Sequence, residues 1–221
     1  MSSHYAIAID GPAASGKSTL ARELARRLGL VMVNSGAMYR AVTWKVLEEG
    51  VDPADPAAVT EALSNMEINC GVKDLQSTVA VDGVDPGEAL RSEAVNQNVS
   101  LVSAVPEVRE QLVELQRAYL EDSDVVMEGR DIGTVVFPDT PYKIYVDADE
   151  SVRAQRRVAA GEVDSVADRD REDSSRKTAP LKMADGAAVL DTSGHTIESG
   201  VAAAVEILRL QGLELGGSTE Q

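Results

Sequence analysis

The stretch Gly11-Pro12-Ala13-Ala14-Ser15-Gly16-Lys17-Ser18-Thr19 constrains this chain more than any other. From Gly11 to Ser18 it follows the pattern G-x-x-x-x-G-K-[ST]. The apolar run Ala6-Ile7-Ala8-Ile9 before it predicts a buried strand. Leu20, Leu24 and Leu28, spaced four apart with Ala21 and Ala25 beside them, predict a helix after it. Strand, glycine loop and helix form the setting in which this pattern cradles phosphate. Gly11 and Gly16 let backbone N–H groups face inward where a Cβ would obstruct the phosphates. The helix adds unpaired N–H groups and the positive end of its dipole. Lys17 is expected to reach the β- and γ-phosphates as a point charge, and the Ser18 hydroxyl to ligate Mg²⁺. Gly11 through Thr19 are therefore a candidate nucleoside-triphosphate site. A glycine turn that binds nothing is the competing reading, against which Lys-Ser stands in the correct frame. The motif leaves the second substrate open.

Further strands are predicted at Leu30–Val33, Asp124–Glu128, Tyr142–Ala148 and Ala187–Asp191, each an apolar run between helical patterns. Five buried strands alternating with helices give an α/β fold, an open parallel sheet covered on both faces. Ligands gather at the carboxyl ends of such strands. Gly11–Thr19, Ser35–Arg40, Glu128–Asp131 and Asp191–Gly194 all follow strands, so all belong to that rim. Ser35 is placed to cap the helix it opens or to donate to an anion. Arg40 lies early in that helix, where positive charge opposes the dipole unless an anion is near. Residues 57 to 90 break the alternation with two alternating runs and an Asp82-Gly83 turn, read as a hairpin tip. That region reads as an inserted subdomain. The core is then about 1–56, 91–157 and 178–211, with a charged lid at about 158–177 and a polar, frayed tail at 212–221.

Composition narrows the partners. The chain has 221 residues and a formal net charge of −16, which argues against sequence-independent binding to nucleic acid or an anionic membrane. Its one cysteine, Cys70, permits no intrachain disulfide and fits a reducing compartment. No run approaches membrane-spanning length, and the expectation is a cytoplasmic monomer. Arginine outnumbers lysine by 15 to 6, which either reflects genome composition or supplies bidentate groups for phosphate and carboxylate.

From about residue 5 to residue 208 the chain resembles bacterial cytidylate kinases, P-loop nucleoside monophosphate kinases. The segments that carry the resemblance begin with Ile9-Asp10-Gly11-Pro12…Ser15-Gly16-Lys17-Ser18-Thr19 and Ser35-Gly36-Ala37-Met38-Tyr39-Arg40. Gly129-Arg130-Asp131-Ile132-Gly133-Thr134-Val135-Val136-Phe137-Pro138 and Arg169…Asp173-Ser174…Arg176…Ala179-Pro180-Leu181 follow, and these two are the more specific. The resemblance implies an ATP:(d)CMP phosphotransferase with a core, a lid and a large acceptor-binding insertion. By position, Ser35, Arg40, Arg130 and Arg176 would surround the CMP phosphate or the transferring group. Ser100, Arg109 and Asp131 would read the cytosine edge, and Arg169 and Asp173 would hold the ribose. Lys17, Arg130 and Arg176 would be the catalytic cations. Arg153, Arg156 and Arg157 are further clamps, with Arg157 assigned to ATP. Glu128 can hold a Mg²⁺-bound water.

Read without the resemblance, Asp131 could equally pair with Arg130 or cap a loop. Ser100 and Arg109 could be ordinary helix residues, and Arg169 with Asp173 a surface ion pair. The runner-up function is another small-molecule P-loop kinase, of the UMP or shikimate type. A nucleotide-switch protein is the remaining alternative. The Asn-Lys-x-Asp guanine reader of GTPase switches does not occur in the sequence.

Overall fold

A computed structural model of the chain describes residues 4–159 and 181–214. Residues 160–180, which hold nearly all of the predicted lid with Arg169, Asp173 and Arg176, and the end of the tail lie outside the described residues.

The first unit is built as the residue pattern requires. β1 (Ala6–Asp10) is buried along its whole length. The loop then turns into α1 (Lys17–Leu28), which opens on Gly16 at φ +88° and closes on Gly29 at φ +69°, whose N–H donates to the Ala25 carbonyl. β2 (Val31–Asn34) leads without a spacer into α2 (Ser35–Glu48). Asn34, and not Ser35, caps that helix: its side chain accepts from the Ala37 N–H at 3.0 Å. The Ser35 hydroxyl is left to turn inward. α3 (Pro56–Leu63) is capped by Asp55, with Pro56 in the first turn.

β3 (Ile68–Lys73) and β4 (Gln76–Val81) form an antiparallel hairpin. Its tip is Asp74-Leu75, both at positive φ (52° and 58°), while Asp82-Gly83 is the exit turn after β4. α4 (Glu93–Val102) and α5 (Pro106–Asp122) follow, the latter opening on its proline. β5 (Val125–Gly129), β6 (Lys143–Asp147), α6 (Glu150–Ala159), β7 (Ala188–Asp191) and α7 (Ile197–Leu210) complete the described elements. Thr196 caps α7.

The sheet runs β3-β4-β2-β5-β1-β6-β7. The five predicted strands are its parallel part, and the hairpin extends it to seven, β4 meeting β2 in parallel through Gln76 opposite Met32. The hairpin joins the sheet because Met32 N–H finds an acceptor in the Leu75 carbonyl at 2.9 Å and Asn34 N–H one in Ser77 Oγ at 3.1 Å. Strand side chains alternate between two cores. Ile7, Ile9, Met32, Val126, Ile144 and Val146 pack with Leu20 and Leu24 of α1 and Val205 and Leu208 of α7. Ala8, Val31, Val33, Val125 and Met127 face the other way, against Val113, Ile132 and Phe137. A third core joins α2, α3, α4, α5 and the hairpin through Met38, Val42, Val59, Val81, Val102 and Leu112. Each fully buried Ile or Leu contributes about 1.5–3 kcal/mol, so the sheet is rigid where it presents its carboxyl ends. Among the described residues no helix is long and apolar enough to cross a membrane.

Candidate active site

β1 lies between β5 and β6, and the chain leaves it for β2 on the far side of β5. The crevice above such a strand is open, because its neighbouring connections diverge. The phosphate loop occupies it. Gly11 sits against β6: a Cβ there would come within 2.1 Å of the Val146 carbonyl oxygen. Ala14 is left-handed at φ 57° and Gly16 at φ 88°. α1 has no side-chain cap, so its first N–H groups face the crevice. Lys17 is buried and donates to the Pro12 carbonyl at 3.0 Å. Ser18 Oγ donates to Glu128 Oε1 at 2.9 Å, bringing a hydroxyl and a carboxylate from α1 and β5 together.

The back of the loop is held by residues from the other half of the sheet. Thr192, just past β7, donates its hydroxyl to the Ser15 carbonyl at 2.7 Å. Arg156 grips Thr192 twice, Nη1 to Oγ1 at 3.0 Å and Nη2 to the carbonyl at 2.9 Å. Arg153 reaches the Ala13 carbonyl at 3.3 Å. Arg157 is buried and lines the same cleft. Of the three α6 arginines, Arg153 and Arg156 thus brace the loop and its neighbour.

The opposite wall comes from α2, α4, α5 and the end of β5. Ser35 Oγ donates to the Glu128 carbonyl at 2.8 Å and lies against Gly129, where a Cβ would come within 2.5 Å of Ser35 Oγ. Arg40 Nη1 donates to the Leu90 carbonyl at 3.0 Å and to Asn96 Oδ1 at 2.6 Å, linking α2 to the start of α4. Arg130 Nη1 donates to the Gly11 carbonyl at 2.9 Å. Arg109, buried on α5, forms an ion pair with Asp131, donates to the Ser103 carbonyl at 3.3 Å and lies 5.5 Å over the Tyr39 ring. Asp131 therefore has an ion-pair partner on α5, Arg109. Asp10 accepts from Ile132 N and Gly133 N, both at 2.7 Å, and burial pushes its carboxyl up to about 6.

One cleft of about 610 Å³ carries Lys17, Ser18, Ser35, Arg40, Ser100, Arg109, Arg130, Asp131 and Arg157. Its lining holds six cationic side chains, Lys17, Arg40, Arg109, Arg130, Arg156 and Arg157, against two carboxylates, Glu128 and Asp131. In a chain of net charge −16 that is a strong local reversal, suited to polyanions. Sequence reasoning did not single out Asp10, Thr192, Tyr39 or Asn96. An acid closing a strand with no exposed face was the signal for Asp10. Thr192 lay in a stretch assigned to the rim but carried no role.

A parallel sheet with a phosphate loop at its switch point, walled by arginines, has the architecture of a P-loop kinase. Two solved structures share the fold at a TM-score of 0.50: a sugar kinase from Janibacter sp. HTCC2649, 12% identical and covering 93% of this chain and 95% of its own, and a Thermus thermophilus protein, 22% identical and covering 96% and 99%. The family model described as cytidylate kinase matches residues 7–210, and the chain belongs to that family. It is 47% identical over 204 residues to a cytidylate kinase of Corynebacterium glutamicum, covering 87% of this chain and 89% of that one. A Rhodococcus opacus cytidylate kinase is 46% identical over 199 residues (85% and 87%), and one from Streptomyces avermitilis 41% over 211 (91% of each).

Proposed function

We propose that this chain transfers the γ-phosphoryl group of ATP to the phosphate of CMP or dCMP, giving ADP and CDP or dCDP. An oxygen of the acceptor phosphate forms the new bond to the γ-phosphorus as the bond to the β–γ bridging oxygen breaks, so no protein nucleophile is needed. The observation that carries the reading is the buried Arg109–Asp131 pair in the same cleft as Lys17 and Ser18. Cytosine offers an amino donor beside ring and carbonyl acceptors. Asp131 would accept from that amino group, with Arg109 and Ser100 donating to the acceptors. Uracil presents a carbonyl where cytosine has the amino group, and a site built to pair polar groups rejects that mismatch strongly.

The remaining assignments follow the electrostatics. Lys17 and the α1 N–H groups would take the donor phosphates, with Arg157 beside them. Ser35, Arg40 and Arg130 would take the acceptor phosphate. By resemblance, Arg176 joins the transferring group, and Arg169 and Asp173 hold the ribose. Residues of about 57–90 serve as the acceptor-side insertion, and the enzyme acts as a cytoplasmic monomer. Ser18 and Glu128 are hard oxygen donors 2.9 Å apart, a set that fits Mg²⁺ held mainly by phosphates and water. Mg²⁺ would neutralise charge on the transferring phosphates. The chain's own part is to align two anions that repel each other and to stabilise the charge as it shifts.

Purified protein with ATP, Mg²⁺ and a panel of CMP, dCMP, UMP and shikimate tests this by ADP release. CMP and dCMP should have the highest kcat/KM. UMP or shikimate outpacing both would overturn the assignment.

A further inference from the structure

Asp10 closes β1 one residue before the phosphate loop, and it is only 4% exposed. Burying a carboxylate there is costly unless its oxygens are matched by donors. They are matched by two consecutive backbone N–H groups, Oδ1 with Ile132 and Oδ2 with Gly133. A single carboxylate holding two successive N–H groups fixes both the distance and the tilt of the segment that carries them. That segment also bears Arg130 and Asp131. Its other tie runs from Arg130 to the carbonyl of Gly11, the first residue of the phosphate loop. Residues 10 and 11 thus hold it at two points. Gly133 permits the close approach: a Cβ there would meet Asp10 Oδ2 at 3.3 Å, Lys143 Cδ at 3.3 Å and Ala184 Cβ at 3.2 Å. Arg109 holds the Asp131 side chain from α5, which is not part of the phosphate loop, so that ion pair by itself does not refer Asp131 to the loop.

We infer that Asp10 is a positioning residue for acceptor selection: it registers the Arg130–Asp131 segment against the phosphate loop, so that Asp131 meets the acceptor base at the spacing cytosine needs. The inference rests on the reading of Asp131 as the base reader. Asp10 itself touches neither nucleotide in this scheme.

Asp10→Asn keeps the volume but turns an amide N–H₂ toward one of the two backbone donors, so one of the paired bonds is lost. With saturating ATP, kcat/KM for CMP is expected to fall about tenfold while that for UMP changes little, so the CMP-to-UMP ratio falls about tenfold. The KM for ATP should stay within about twofold, since the donor phosphates are held by Lys17 and α1. Gly133→Ala displaces the same N–H from the other side and should give the same loss of ratio. It also serves if Asp10→Asn does not fold. A folded variant that keeps the ratio overturns the inference. So does equal loss for both bases with a raised KM for ATP, or failure of both variants to fold, since the contact would then be merely structural. A wild-type enzyme without preference for CMP would instead overturn the reading beneath it. Wild-type preference retained in the variants would sink only the role of Asp10.

Discussion

Burial raises the Asp10 carboxyl from 3.8 to about 6, against the pull of the Gly133 and Ile132 N–H groups and of Lys17, with Asp131 adding to the rise. The folded chain therefore holds this proton over a range where the unfolded chain has released it. Stability from the protonated form is complete below about pH 4 and is lost as pH rises through about 6. Subtracting the unfolding free energy of Asp10→Asn from that of the wild type isolates the effect, because the amide does not titrate. That difference should fall by about 2 kcal/mol between pH 4 and pH 6.5. A flat difference in urea titrations across this range would show that the carboxyl titrates normally. Above pH 6 the carboxylate form accepts both N–H groups, which is the state in which it can register the neighbouring segment.

At the scale of elements, the hairpin β3–β4 departs most from sequence expectation. Asp-Gly is a strong signal for a two-residue turn, and it does make a turn, at residues 82–83. The hairpin instead folds at Asp74-Leu75, because that register places Gln76 and Ser77 beside β2 and gives Met32 and Asn34 N–H groups their acceptors. Pairing across the sheet outweighs a leucine at φ 58°, which is unfavourable by roughly 1 kcal/mol. Leu75 is half-exposed, so its replacement loses little burial. Leu75→Asn should therefore raise stability by about 0.5–1 kcal/mol, visible as an increase in Tm. An unchanged or lower Tm would mean that the leucine side chain contributes more than the turn loses. The parallel strands β1, β2, β5 and β6, by contrast, are legible because burial on both faces leaves continuous apolar runs, and the helices because proline, aspartate and glycine mark their ends. The sequence leaves Ser35 as either a cap of α2 or a donor because Asn34 and Ser35 are both good caps, and only the inward acceptor, the Glu128 carbonyl, decides between them.

The whole molecule is an acidic body in which six of the 21 Lys and Arg side chains line one cleft that carries only two carboxylates. The parts of that cleft at strand ends, Lys17, Ser35, Arg40, Arg130 and Asp131, could be read from position in a parallel sheet. Ser100 and Arg109 could be read only from the family resemblance, because a serine or arginine on a helix face carries no local signal of what lies across from it. Asp10 shows in the sequence only as an acid ending a buried strand, and Thr192 not at all, since their partners lie 122 and 177 residues away in the chain. On the proposed function, the cleft draws two nucleotides into line at once. An inhibitor that joins adenosine and cytidine 5′ to 5′ through five phosphates tests this most directly by calorimetry and steady-state inhibition. The account predicts one molecule bound per chain, competition with both ATP and CMP, and a Kd at least about a hundredfold below that of either nucleotide alone. Competition with only one substrate, or binding no tighter than that of ATP, would contradict it.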